Sequence, residues 1–100
     1  MIVLEEKLAT VPTLFVEKRD GRRVVFDVDK IDKALHKAAD KVMDVTPLVE
    51  KRLNGLLERI VAEIHSRFPQ GVKIYEIQNI VEHELLEAKE YALAEEYITY

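Results

Sequence analysis

No cysteine occurs in the 100 residues of this chain. Within the segment, that excludes a disulfide scaffold, a thiolate zinc site, an iron–sulfur cluster and a cysteine nucleophile. Glycine and proline are scarce, three of each, which argues against a linker or a disordered tail. Long apolar runs are missing too. None exceeds four residues, as in Met1 to Leu4 and Tyr91 to Ala94, so nothing here reads as a membrane-spanning helix. The opening MIVLEEKL lacks the basic lead and long apolar stretch of a signal peptide, and a cytoplasmic location is the expectation. Neither sign of charge dominates: 15 Lys and Arg face 19 Asp and Glu, for a formal net charge of −4. A chain-wide nucleic-acid-binding surface is not expected from that balance.

What remains is 48% hydrophobic and 34% charged, the composition and length of one compact domain. Residues 1–13 carry Pro12 and read as an extended lead-in. Residues 14–26 read LFVEKRDGRRVVF. Here Asp20-Gly21 lies between two β-branched or aromatic runs, which predicts a hairpin with strands near Leu14 to Arg19 and Arg22 to Phe26 and both turn residues at positive φ. A two-stranded hairpin is marginal alone and must pack on something.

The rest of the chain is helical by pattern. Asp27 or Asp29 can cap a helix with Ile31, Ala34, Leu35, Ala38, Ala39 and Val42 on one face. Thr46-Pro47 reads as a cap followed by proline at the first helical position. It opens a helix with an apolar face of Val49, Leu53, Leu56, Leu57, Ile60, Val61 and Ile64. Gly55 interrupts that face at a cost of about 1 kcal/mol relative to alanine, which close approach of a neighbour would explain. Pro69-Gln70-Gly71 ends the helix. From Lys73 to Tyr100 there is no Gly or Pro. Ile74, Ile77, Val81 and Leu85 form one stripe there, and Ala94, Tyr97 and Ile98 another, with a break expected near Glu87 to Glu90.

Several clusters carry candidate chemistry. Lys18, Arg19, Arg22 and Arg23 flank the turn, and Lys30 follows at the start of the first helix, where free N–H groups favour anions. This set suits either a phosphate chain or a solvated edge that resists strand-to-strand aggregation. No Walker-type glycine loop is present. His83-Glu84-Leu85-Leu86-Glu87 resembles part of a zinc-protease helix but lacks the second histidine, so a polar helix face is the expectation. His36 and His65 have no partner that spacing identifies. Residues 76–100 hold seven Glu and one Lys, a stretch for a solvated face or for a basic patch on another subunit. Tyr91, Tyr97 and Tyr100 read as core and rim aromatics.

The ordered set Val16-Glu17-Lys18-Arg19-Asp20-Gly21, Phe26-Asp27, Asp29-Lys30-Ile31, Lys73-Ile74-Tyr75-Glu76-Ile77-Gln78 and Tyr97-Ile98-Thr99-Tyr100 resembles the ATP-cone family, over residues 14–100. ATP-cones are allosteric modules of ribonucleotide reductases and also occur in a zinc-ribbon repressor. The resemblance implies an α+β fold, an N-terminal β-hairpin or small sheet covering a roughly four-helix bundle. It implies binding of ATP or dATP, with Mg, as an allosteric effector and not as a catalytic cofactor, so this segment is regulatory and has no catalytic residue. By position, Val16, Lys18 and Arg19 belong to the first nucleotide-contacting strand, Asp27 lies near the nucleotide, and Lys30 reaches the phosphates. Ile31 packs on the base or ribose, with Ile74 and Ile77 on the far side.

Ile74 stands where the family often has Thr or Ser, which removes one phosphate hydrogen bond. A basic residue usual after the position of Tyr100 is not included. The resemblance implies as partners the adenine nucleotides, the catalytic domain of the same chain and further copies in a homo-oligomer, with no membrane or nucleic acid. The leading segment and the YALAEEYITY ending resemble the anaerobic (class III) ribonucleoside-triphosphate reductase. An aerobic reductase large subunit is the nearer alternative, and a small helical nucleic-acid or protein interaction module the more distant one.

Overall fold

The computed structural model describes residues 14–99; the expected lead-in over 1–13 and Tyr100 lie outside them. Strand β1 (Phe15–Glu17) pairs antiparallel with β2 (Arg23–Val25), Val16 opposite Val24. Hydrogen bonds from Phe26 N–H to Leu14 O (2.8 Å) and from Lys18 N–H to Arg22 O (2.7 Å) extend the ladder beyond both ends. The turn differs from the expected one. Only Gly21 has positive φ (89°), and its N–H closes back on Lys18 O at 3.0 Å. The Asp20 carboxylate takes the Arg22 N–H instead, so the hairpin has the three-residue connection with a left-handed glycine, not the two-residue one.

A third strand, β3 (Val72–Lys73), was not anticipated. It lies parallel to β1, with Val16 opposite Val72, giving the order β2-β1-β3. Two residues between a Gly71 and a helix start carry no alternation to read. Alternation sends Val16, Val24 and Val72 toward the helices and leaves Phe15, Arg23 and Lys73 outside.

The helices begin and end largely as their caps dictate. In α1 (Val28–Val42) the Asp27 carboxylate accepts the Asp29 N–H at 3.0 Å. In α2 (Pro47–Arg67) the Thr46 hydroxyl accepts from Val49 at 3.3 Å, with Pro47 in the first turn. For α3 (Ile74–Glu87), Glu76 reaches back to the Lys73 N–H at 2.8 Å. The expected break falls before α4 (Tyr91–Thr99). Lys89 adopts φ 61°, its N–H bonds Leu86 O (3.0 Å), and the Glu90 N–H bonds Leu85 O (2.9 Å). This is a Schellman termination built on lysine, which is why no glycine announced it.

Helix α1 packs along α4 and α2, and α3 on α2 and α4. Ile31, Leu35, Ala38 and Ala39 meet Leu53, Leu56, Ile60 and Ile64, with Ile77, Ile80, Val81, Leu85, Leu93 and Ala94 closing one core. Each large aliphatic side chain buried this way contributes about 1.5–3 kcal/mol. Ile80 and Leu93 fell outside the stripes read from sequence, and Ile98, read as part of one, is 57% exposed. Tyr91 is exposed too, whereas Tyr97 packs against the core.

The acidic C-terminal stretch is tied inward: Glu84 pairs with Arg59 (3.3 Å), Glu96 with Lys41 (3.5 Å) and Glu90 with Arg52. His36 clasps α1 to α2. Its Nδ1 lies 2.9 Å from Asp32 O and 3.1 Å from the Asp32 carboxylate, and its Nε2 bonds Glu50. Those bonds, Asp32 first and Glu50 second, hold the His36 pKa above its ordinary value.

Two stability predictions follow from the backbone. A Cβ on Gly55 would meet nothing within 4 Å, so no neighbour explains this glycine. Gly55→Ala, and separately Lys89→Gly at its left-handed position, should each raise stability by about 1 kcal/mol, read as a higher urea midpoint at unchanged slope. A third prediction concerns pH. A folded-state pKa raised above about 6.5 stabilises fully below that value and ceases to do so as pH rises through the folded one. The cost of His36→Gln should therefore be larger at about pH 5.5 than at about pH 8.5, and equal costs at both would refute the clasp.

Candidate functional site

A cleft opens between the hairpin, the start of α1 and the first turns of α3, with Tyr97 of α4 at one side. Its walls are mostly apolar. Val16 and Val24 come from the inward face of the hairpin, Ile31 from α1, and Ile74 and Ile77 from α3. Phe26 forms a further wall, with its ring held edge-on by His65 of α2 at 5.8 Å and 82°. A slot lined this way accepts a flat, apolar-faced ring.

Lys18 and Lys30 line the cleft, and Arg19 stands next to it, lining an adjoining depression shared with Lys18 and Ile74. Among the described residues, none of these three cations has a carboxylate within ion-pair distance. Elsewhere the pattern is different: Lys33 pairs with Asp29, Lys41 with Glu96, Arg59 with Glu84 and Arg67 with Glu63. Unpaired positive charge beside an apolar slot is an arrangement for an anion with an aromatic body.

Asp27 changes how that anion must be held. As the cap of α1 it already occupies the Asp29 N–H, and the Lys30 N–H turns to Asp27 O at 3.2 Å. The end of α1 expected to attract anions is thus partly filled by a carboxylate, and side-chain cations remain to meet a phosphate. Tyr97 is pushed above its ordinary pKa by burial and by the Glu82 charge, so its hydroxyl stays protonated and can donate a hydrogen bond.

Of the eight positions singled out from sequence, seven line this one cleft: Val16, Lys18, Asp27, Lys30, Ile31, Ile74 and Ile77. Arg19 does not line it but borders it. Val24, Val25, Phe26, Gln78 and Tyr97 also line it and had not been chosen. Phe26, Gln78 and Tyr97 sat inside the motif segments, so their position was the available signal; Val24 and Val25 carried none beyond strand propensity. The partial zinc-protease pattern at His83 forms no metal-binding group, and among the described residues no cluster of three or more His, Asp or Glu could hold a metal.

A small three-stranded sheet lies over four helices, with an apolar slot and cations without ion pairs, among the described residues, at their junction. The sequence over residues 14–100 matches the ATP cone domain, and the chain belongs to that family. It is similar to the ribonucleoside-diphosphate reductase subunit alpha of Chlamydia muridarum, 40% identical over 95 residues, 88% of this chain and 9% of that protein. The corresponding subunits of Chlamydia trachomatis and Chlamydia pneumoniae are 41% and 34% identical, over 88% and 83% of the chain. The chain spans less than a tenth of the length of these relatives, 9% or 8%. No helix among the described residues is long and apolar enough to cross a membrane.

Proposed function

We propose that this domain senses adenine nucleotides on behalf of a cytoplasmic ribonucleotide reductase, binding ATP or dATP and setting the activity of the catalytic part of the same polypeptide. The supporting observation is the convergence of Val16, Ile31, Ile74 and Ile77 on one slot that Lys18 and Lys30 also line. The base lies between the hairpin and α3, against Phe26 and Ile77. Lys18, Arg19 and Lys30 take the phosphates. Asp27 faces the nucleoside, where a carboxylate can accept from an exocyclic amine or a ribose hydroxyl. Ile74 supplies wall and no hydrogen bond.

Two parents were in view from the sequence. The triphosphate reductase rested on the leading segment and the C-terminal decapeptide. The relatives carry the diphosphate enzyme in their names, which supports the large subunit of a diphosphate reductase as the parent, and we favour it. Reduction of CDP but not CTP by the whole enzyme would bear this out; the reverse would return the assignment to the anaerobic enzyme.

ATP and dATP differ by one ribose hydroxyl, and one neutral hydrogen bond contributes about 0.5–1.5 kcal/mol net. Affinity at one site then discriminates by about tenfold at most, far from an on/off switch. Regulation must therefore come from each ligand favouring a different arrangement of the parent chain. Identical subunits multiply a small preference, so a homo-oligomer is the natural amplifier.

Calorimetric titration with ATP, dATP and GTP tests the reading directly. At a hundred times its dissociation constant, the ligand should add about 2.7 kcal/mol to stability, roughly 10–20 °C in melting temperature for a domain of this size. Lys18→Ala and Lys30→Ala should each weaken ATP binding by about 1.5–3 kcal/mol while leaving the ligand-free melting temperature nearly unchanged, since neither side chain has an ion pair to lose. Wild-type affinity in both variants would move the site elsewhere.

A further inference from the structure

The fold splits the basic cluster at the hairpin tip. Arg23 turns to the outer face of the sheet, where its guanidinium lies 5.0 Å from the centre of the Phe15 ring. Arg22 goes the other way. With Lys18, Arg19 and Asp20 it lines a groove that runs on from the cleft, because Lys18, Ile74 and Gln78 border both. The cleft contributes apolar side chains such as Ile77 to the joined surface, and the groove contributes Arg19, Arg22 and Asp20.

Arg22 is held in place there. Its Nε donates to Asp20 Oδ2 at 2.7 Å, and its backbone N–H donates to Asp20 Oδ1 at 3.0 Å. Asp20 is kept ionised by those bonds, with its pKa lowered chiefly by the Arg22 backbone N–H and then by the side chain. Among the described residues, Nη1 and Nη2 of Arg22 have no acceptor. They form a planar pair of donors whose spacing suits two oxygens of one phosphate. Asp20 and Arg22 are both well exposed, at 58% and 71%, and an ion pair that open adds little to folding. Its effect is to aim the guanidinium.

Resting on the nucleotide reading of the cleft, we propose that Arg22 is the ligand for the terminal phosphate of a nucleoside triphosphate and makes the domain discriminate ATP from ADP. A base seated against Phe26 and Ile77 directs its phosphates past Lys30 and Lys18 toward the tip. The first phosphates meet the lysines, which line the cleft itself. Only a longer chain extends into the outer groove, where Arg22 stands.

The test is titration of the protein with AMP, ADP and ATP in the presence of Mg²⁺, for wild type, Arg22→Ala and Arg23→Ala. Wild type is expected to prefer ATP over ADP. Arg22→Ala should weaken ATP about tenfold or more, as loss of a charged hydrogen bond does, while AMP affinity stays unchanged, so the ATP/ADP preference collapses. Arg23→Ala should keep the wild-type preference. An Arg22→Ala protein with the preference intact overturns the proposal, as does an equal loss in Arg23→Ala, which would mean diffuse attraction by the tip. Failure of wild type to bind any of the three nucleotides would instead overturn the reading of the cleft itself.

Discussion

The parallel pairing of β1 with β3 is the constraint on which the rest of the structure depends. Lys73 is at once the last residue of β3 and the cap of α3, so no linker separates sheet from helix. Once Val72 is registered against Val16, the first turn of α3 can only stand beside the hairpin. Ile74 and Ile77 are thereby delivered opposite Val16 and Val24. Parallel strands require a long crossover, here supplied by β2, α1 and α2, whose cores close the crossover on itself. The cleft is the gap that this geometry leaves between a twisted hairpin and a helix forced to start next to it.

Charge is distributed to match. Carboxylates of the C-terminal half are drawn onto Arg52, Arg59 and Lys41 of α1 and α2, which knits the helices together and leaves less negative charge facing outward. Among the described residues, Lys18, Arg19 and Lys30 make no ion pair. A domain with a formal net charge of −4 thus keeps these three cations beside its cleft. The same separation explains why the tip arginines behave differently from each other: one is aimed by Asp20, the other is laid on an aromatic ring.

Elements that announce themselves locally were legible in the sequence. Asp27, Thr46 and Pro47 cap through their own chemistry, and the apolar stripes of α1 and α2 follow a 3.6-residue period that survives in the buried set Ile31, Leu35, Leu53, Ile60 and Ile64. Seven of the eight singled-out positions fall around one cleft because they were chosen by resemblance to a family, which carries tertiary information that periodicity lacks. Where neither source spoke, the reading failed. Val72-Lys73 is a strand only because β1 is there to pair with it.

By itself, then, the sequence determined where helices start, which faces are apolar, that a hairpin precedes them and that no thiol chemistry is possible, since each of these depends on interactions within a few residues. Only the tertiary structure decided that the hairpin acquires a third strand, that Ile80 and Leu93 are core while Ile98 is not, and that Arg22 and Arg23 part company. It also decided that Glu84, Glu90 and Glu96 are neutralised from within and that His65 holds the Phe26 ring. Each of those outcomes turns on which element lies across the gap, a relation between residues 25 positions apart in Glu84–Arg59 and 56 apart in Val16–Val72, and no local pattern encodes it.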